Sequence, residues 1–287
     1  MAANFWKEHE NLYYALTNRK VIVGLCLFLA IVLLAVFGPM FTPFDYEEYA
    51  GAPYLPPSRG YPFGTTIMGR DVFTLTVYGL RSTLLVGFIA GTIATLVGCI
   101  IGFLAGYYGG TWFDELLMMV TNIFVVMPQL ALLIIISAFL KVRGITVMSV
   151  IVAATAWPWT ARAVRSQTLS LKNQEYVSLS RISALSVGRI LREDIASNMF
   201  SYVFMVYILQ FNGTMLSTVQ LEFLGLGPTR GVSLGLVMQD AVNWNAIQLG
   251  MWWWAIIPGL IITVMITSLY LINTGLDAAF NPRLREA

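Results

Sequence analysis

Long apolar blocks separated by polar segments set the organisation of the chain. Charge-free blocks lie at 21–40, 83–107, 116–140, 145–160, 198–221 and 252–274, most of them near or above the roughly 20 apolar residues that cross a bilayer as a helix. A transmembrane barrel would instead show short segments alternating apolar and polar. The pattern predicts an all-α polytopic membrane protein with six transmembrane helices, the fifth running to 222, and with both termini on one side. Two polar stretches, 42–76 and 223–250, are too polar to cross and form loops on the opposite side. The domain reading follows: an interfacial segment 1–20, a first span 21–41, an outer loop 42–80, a five-span core 81–275 and a tail 276–287.

Details within the blocks sharpen this. Residues 11–20 predict a short interfacial helix, with Trp6, Tyr13 and Tyr14 at headgroup level. The second span carries Gly87 and Gly91, then Gly98, Gly102 and Gly106, and a small residue every fourth position lets helix backbones approach closely in lipid. Pro128 interrupts the third span and predicts a kink. Asn122 and Gln129, seven residues apart, then share one face, as interhelical hydrogen-bonding groups or as lining of a pathway. Trp157-Pro158-Trp159 reads as the interfacial end of the fourth span. The fifth carries Gln210, Asn212 and Gln220 in its outer half, and the second to sixth spans place no Asp or Glu well inside the bilayer.

Composition agrees: 57% of the 287 residues are hydrophobic and only 11% are charged. Cys26 and Cys99 lie in apolar runs and read as buried free thiols. One histidine, His9, leaves no metal cluster or catalytic triad, and no Gly-rich phosphate loop is present. The sequence therefore predicts no catalytic site and no cofactor bound by this chain. The first apolar run is long and lacks a small-residue cleavage site, so it reads as a retained span. Placing both termini in the cytoplasm puts eleven basic residues inside and six outside, which favours that orientation in the cell membrane.

The charge that remains gathers between the fourth and fifth blocks, in a loop spanning 165–197. Glu175, Arg181, Arg189, Arg192, Glu193 and Asp194 fall within 174–195, with Lys172 just before that stretch. Asn173 predicts an N-cap and Glu175 a favourable first-turn carboxylate. Leu179 and Ile182 then share a face, 183–186 breaks the helix, and 188–195 resumes it. A short helix of this kind either docks into a partner's groove or rests on lipid headgroups; spacing leaves both open.

At this loop the chain resembles the inner-membrane permeases of binding-protein-dependent ABC importers. Glu175-Tyr176-Val177 and Arg181 match their cytoplasmic Glu-Ala-Ala segment. Leu179 and Ser180 stand where the alanines usually are, Ala184 replaces the glycine and Ser197 the proline. Ala for Gly is tolerable there if its φ is negative. The stretches 61–71, 78–83 and 102–110 with Asp114, then Pro128, Glu222–Pro228, the Trp252–Trp254 cluster with Pro258-Gly259, and Asn281-Pro282-Arg283-Leu284 resemble the C-type subunit of the dipeptide/oligopeptide permeases, Asn281 standing where Asp is usual.

The resemblance implies a second homologous permease, two cytoplasmic ATPases that hold ATP and Mg, and an extracytoplasmic solute-binding protein, in a lipid bilayer and with no nucleic acid. It implies that the 174–191 loop carries a coupling helix, with Glu175, Tyr176, Val177, Leu179, Arg181, Ile182 and Ala184 docking on an ATPase. Asn122, Gln129, Gln210 and Asn212 are the candidate pathway residues. Dipeptides or oligopeptides are the implied cargo, with cello- or xylo-oligosaccharides as the alternative. A channel or secondary transporter working without an ATPase is the reading from another class, and the lack of an intramembrane carboxylate speaks against it. The outer segments 42–76 and 223–250 are candidates for contact with the binding protein and the translocation mouth; within the first, Gly64, Gly69, Arg70 and Asp71 read in preference as a structural turn.

Overall fold

A computed structural model describes residue 14 and residues 17–280. Most of the expected interfacial helix, His9 and the 281–284 motif lie outside the described residues. The described chain is a bundle of helices: α1 (Arg19–Phe37), α2 (Val72–Tyr107), α3 (Trp112–Val126), α4 (Gln129–Ala138), α5 (Ile145–Leu171), α6 (Glu175–Ile182), α7 (Phe200–Leu221), α8 (Leu234–Asn243) and α9 (Trp252–Phe280). Among the described residues, five helices are long and apolar enough to cross a membrane, or six if the bent pair α3–α4 is one span. The chain is an all-α, multi-pass membrane protein.

The second helix organises the bundle. At 36 residues it is about 54 Å long, and it packs against α5, α7 and α8. It starts well before the expected 83, because Asp71 caps it: Asp71 Oδ2 accepts from Thr74 N at 2.8 Å and from Thr74 Oγ1 at 2.7 Å. The turn leading to that cap needs glycine at Gly69, where φ is +73°. The polar residues Thr74 and Thr76 that masked the early start are buried against the rest of the bundle, as is Thr83.

The glycine spacing acts as expected. A Cβ at Gly98 would lie 2.6 Å from Thr160 Cβ, one at Gly102 2.7 Å from the Ala161 carbonyl oxygen, and one at Gly106 2.5 Å from Thr168 Cβ. One α2 stripe thus meets three successive turns of α5. On another face, Gly87 and Gly91 admit Met215 and Phe211 of α7 with the same closeness.

Several expected boundaries change. At Met127-Pro128 the backbone is extended (ψ 132° and 114°), and α3 and α4 meet at 81°, so the third block is broken rather than kinked. The shared face expected of Asn122 and Gln129 is lost with it. Pro158 lies inside α5, which continues to Leu171, and Trp157 is buried beside Phe124 rather than ending a span. A proline removes only one backbone donor, and the helix carries on past it. Cys99 is buried but Cys26 is exposed. The fifth span ends in a π turn, Glu222–Leu226, closed by Gly225 at φ +80°. There Glu222, the last residue of the expected fifth span, is fully buried against Gly227 and Gly235. The sixth block extends to Phe280, into the expected tail.

Candidate functional site

The short helix α6 follows α5 after a tight turn, with Gln174 at its N-cap and no side-chain capping bond. Asn173, the expected cap, instead donates from Nδ2 to the Leu169 carbonyl at 3.3 Å. Val177 is fully buried with Val164, Ile190, Ile195 and Met199. It anchors the helix to the bundle and is not available for docking, contrary to its expected role. Opposite it, Tyr176, Leu179 and Ile182 follow one another at three-residue steps, which on a helix forms one ridge. Leu179 is 64% exposed and Ile182 82%, and Glu175 and Arg181 are exposed beside them. An uncovered apolar ridge on a charged helix suits a partner's groove or a layer of lipid headgroups.

One contact ties this helix to the bundle end, and two more brace the end of α5 that leads into it. The Arg181 guanidinium lies 5.1 Å from the ring centroid of Tyr107, the last residue of α2, a cation–π arrangement. Arg165 near the end of α5 grips Asp114 of α3 with two bonds of 2.6 Å, Nε to Oδ1 and Nη2 to Oδ2, while Gly110 N donates to Oδ2 at 3.0 Å. Lys172 Nζ donates to the Gly109 carbonyl at 3.0 Å, and its pKa is lowered by burial and then by the nearby Arg181. The two-pronged geometry of an Arg–carboxylate pair makes a stiff joint. Sequence reasoning missed Tyr107 and the Asp114–Arg165 pair. Their signal was one polar residue at each end of neighbouring apolar blocks. Beyond α6, Arg189 Nε and Arg192 Nη2 donate to Glu193 at 2.9 and 3.2 Å, which holds the Glu193 carboxyl below its usual range, Arg189 first.

After α6 the chain turns at Ala184 with φ +56°. The condition under which Ala is harmless there is not met: a non-Gly residue in the left-handed region costs roughly 1 kcal/mol. Ala184→Gly is expected to raise the stability of the loop by about 1 kcal/mol, read as a higher melting temperature of the purified complex.

The candidate pathway residues divide. Gln129 and Gln210 come together on a cavity of about 650 Å³ with Thr155 and Ser217, beside the α3–α4 break. Gln210 is committed on both ends: Oε1 accepts from Thr160 Oγ1 at 2.9 Å and Nε2 donates to the Ala156 carbonyl at 3.2 Å. It clamps α7 to α5. Gln129 has one long contact, Nε2 to Thr155 Oγ1 at 3.5 Å, so its amide keeps hydrogen-bonding capacity at the cavity. Asn122 lines a different concavity and accepts from Arg162 Nη2 at 2.7 Å. Asn212 packs toward α9, its Nδ2 3.5 Å from the Ile266 carbonyl. Asn212 is two positions from Gln210, which on a helix is the other side, and it does not line the cavity.

Residues 98–286 match the family described as binding-protein-dependent transport system inner membrane component, and residues 12–57 match the N-terminal transmembrane domain of oligopeptide transport permease C. The dipeptide transport system permease protein DppC of Bacillus subtilis is 33% identical over 271 residues, covering 94% of this chain and 83% of that protein. The oligopeptide transport system permease protein OppC of the same organism is 31% identical over 273 residues, covering 94% and 88%. DppC of Haemophilus influenzae is 27% identical over 284 residues, covering 96% and 94%.

Proposed function

The chain belongs to the inner-membrane components of binding-protein-dependent transport systems, and from that premise we propose that it forms one permease half of an ATP-driven importer of short peptides. A second permease completes the pathway, and two cytoplasmic ATPases bind ATP and Mg and supply the work. A binding protein delivers cargo at the other end of the bundle. The termini and α6 face the cytoplasm, as the basic residues favour. The observation that carries the reading is the ridge of Tyr176, Leu179 and Ile182 on a helix tied by Arg181 to α2 and preceded by the Arg165–Asp114 joint. A docked ridge of this kind, closed and opened by the ATPases, moves the ends of α2, α3 and α5 as one body, a rigid-body switch. Gln129 is the residue of this chain assigned to the pathway. Peptide cargo is supported by the names of the relatives and by neutral amide and hydroxyl groups at the cavity.

The test is ATP-dependent uptake by the full complex in proteoliposomes with its binding protein. Labelled dipeptide is expected to accumulate and cello- and xylo-oligosaccharides are not. Accumulation of the sugars with no dipeptide uptake would overturn the cargo assignment and place the chain with sugar importers.

A further inference from the structure

At the end of α2 opposite Tyr107, the 42–71 loop, α8 and the start of α9 enclose a second cavity, of about 520 Å³. That is within the range of small-ligand sites. Unlike the mid-bundle cavity, it is charged: Glu47, Arg70 and Asp240 line it, together with Thr66, Trp244 and Trp254. Arg70 makes no ion pair within 4.0 Å among the described residues, and its buried Nε has no hydrogen-bond partner. Trp254 is 3% exposed and its Nε1 also lacks a partner. The neighbouring Trp253 shows the contrast, since its Nε1 donates to the Thr65 carbonyl at 3.1 Å. Burying a polar group without a partner is unfavourable, so two orphan donors on one cavity mark a place for an acceptor. Both are N–H groups and one belongs to a cation, which selects an anion, and a carboxylate suits the planar guanidinium. Asp240, near enough to Arg70 to feel its charge, and the exposed Glu47 add negative charge to the same lining, which suits the ligand's ammonium group.

We propose that this cavity is a binding site for a short zwitterionic peptide, held by its terminal carboxylate on Arg70 and Trp254 with its ammonium toward Glu47 and Asp240. The inference rests on the peptide-importer reading. It adds a recognition step within the permease itself, at the end of the bundle away from α6.

The experiment is calorimetric titration of the full permease–ATPase complex, without binding protein, using alanylalanine and its C-terminal amide. Saturable binding of alanylalanine is expected. The amide, Arg70→Gln and Trp254→Phe are each expected to weaken it by roughly tenfold or more, the scale of a lost charge-assisted hydrogen bond. The amide comparison uses the unaltered protein, so it stands even if a variant misfolds. Equal affinity for the acid and the amide would overturn the inference. So would the absence of saturable binding by a complex that transports alanylalanine, a result that leaves the cargo assignment intact. Weakened association of Arg70→Gln with the binding protein, in a complex that binds no free dipeptide, would reassign the cavity to protein docking and overturn it too. Carboxylate-dependent binding without any dipeptide uptake would uphold the site and overturn the cargo assignment instead.

Discussion

Gly102→Leu is expected to abolish the folded complex. Even the first added carbon would lie 2.7 Å from the backbone oxygen of Ala161 and 2.7 Å from Val164 Cβ. A flexible side-chain tip can move aside, but a helix carbonyl cannot without dragging α5. Overpacking a well-fitted interior costs about 1–3 kcal/mol for a few methylenes, and here the insertion sits in the middle of the longest contact in the bundle. Gly98 and Gly106 hold α5 at the same distance one turn away on either side, so the two helices cannot pivot to make room. The expected result is loss of a monodisperse peak in size-exclusion chromatography of the solubilised complex. Gly213→Ala is the comparison. It lies inside α7 with no heavy atom within 4 Å of the added carbon, and Ala is favoured over Gly in a helix by roughly 1 kcal/mol. That variant is expected to elute normally and to melt no lower than the parent.

The second large effect belongs to α6. The double substitution Leu179→Asp and Ile182→Asp is expected to leave the bundle folded and to remove ATP-driven transport almost entirely. Both side chains are exposed and lie across the helix from the buried Val177, so the change adds no charge to the interior. It does place two carboxylates on the ridge assigned to the ATPase groove, where desolvating an unpaired charge costs several kcal/mol. Val177→Asp is expected to do the opposite, unfolding the loop from the bundle because the charge enters a closed apolar cluster. Uptake and melting temperature measured on the same preparations separate the two: uptake alone falls for the ridge pair, and both fall for Val177→Asp.

Much of this was readable in the residues. Hydrophobic blocks set the number of crossings, since the bilayer thickness leaves few alternatives. The four-residue glycine spacing marked close helix contacts, and Leu179 and Ile182 could be placed on one face from spacing alone. Val177 could not be separated from the ridge, because which side of an amphipathic helix meets the bundle depends on the incoming direction of α5. That direction in turn depends on Pro158, where the sequence pattern predicts an end and the helix instead continues. At Pro128 the error ran the other way: an extended Met127 turns a kink into an 81° break and separates Asn122 from Gln129. Arg70 read as part of a turn, which its backbone is, with Thr66 Oγ1 accepting from Arg70 N at 3.1 Å. That its side chain stays unpaired depends on α8 and α9, more than a hundred residues away in the chain, and no local pattern carries such information.

The central claim is that α6 is the contact through which a partner ATPase moves this permease. Disulfide trapping tests it most directly: Ile182→Cys in the assembled complex, with Cys26 and Cys99 replaced by Ala, against single cysteines placed along the ATPase groove. The account predicts a cross-link to one groove position, formed in good yield and lost when Ile182→Cys is replaced by a cysteine at buried Val177. A cysteine at position 182 that never cross-links to the ATPase, in a complex that transports, would contradict it.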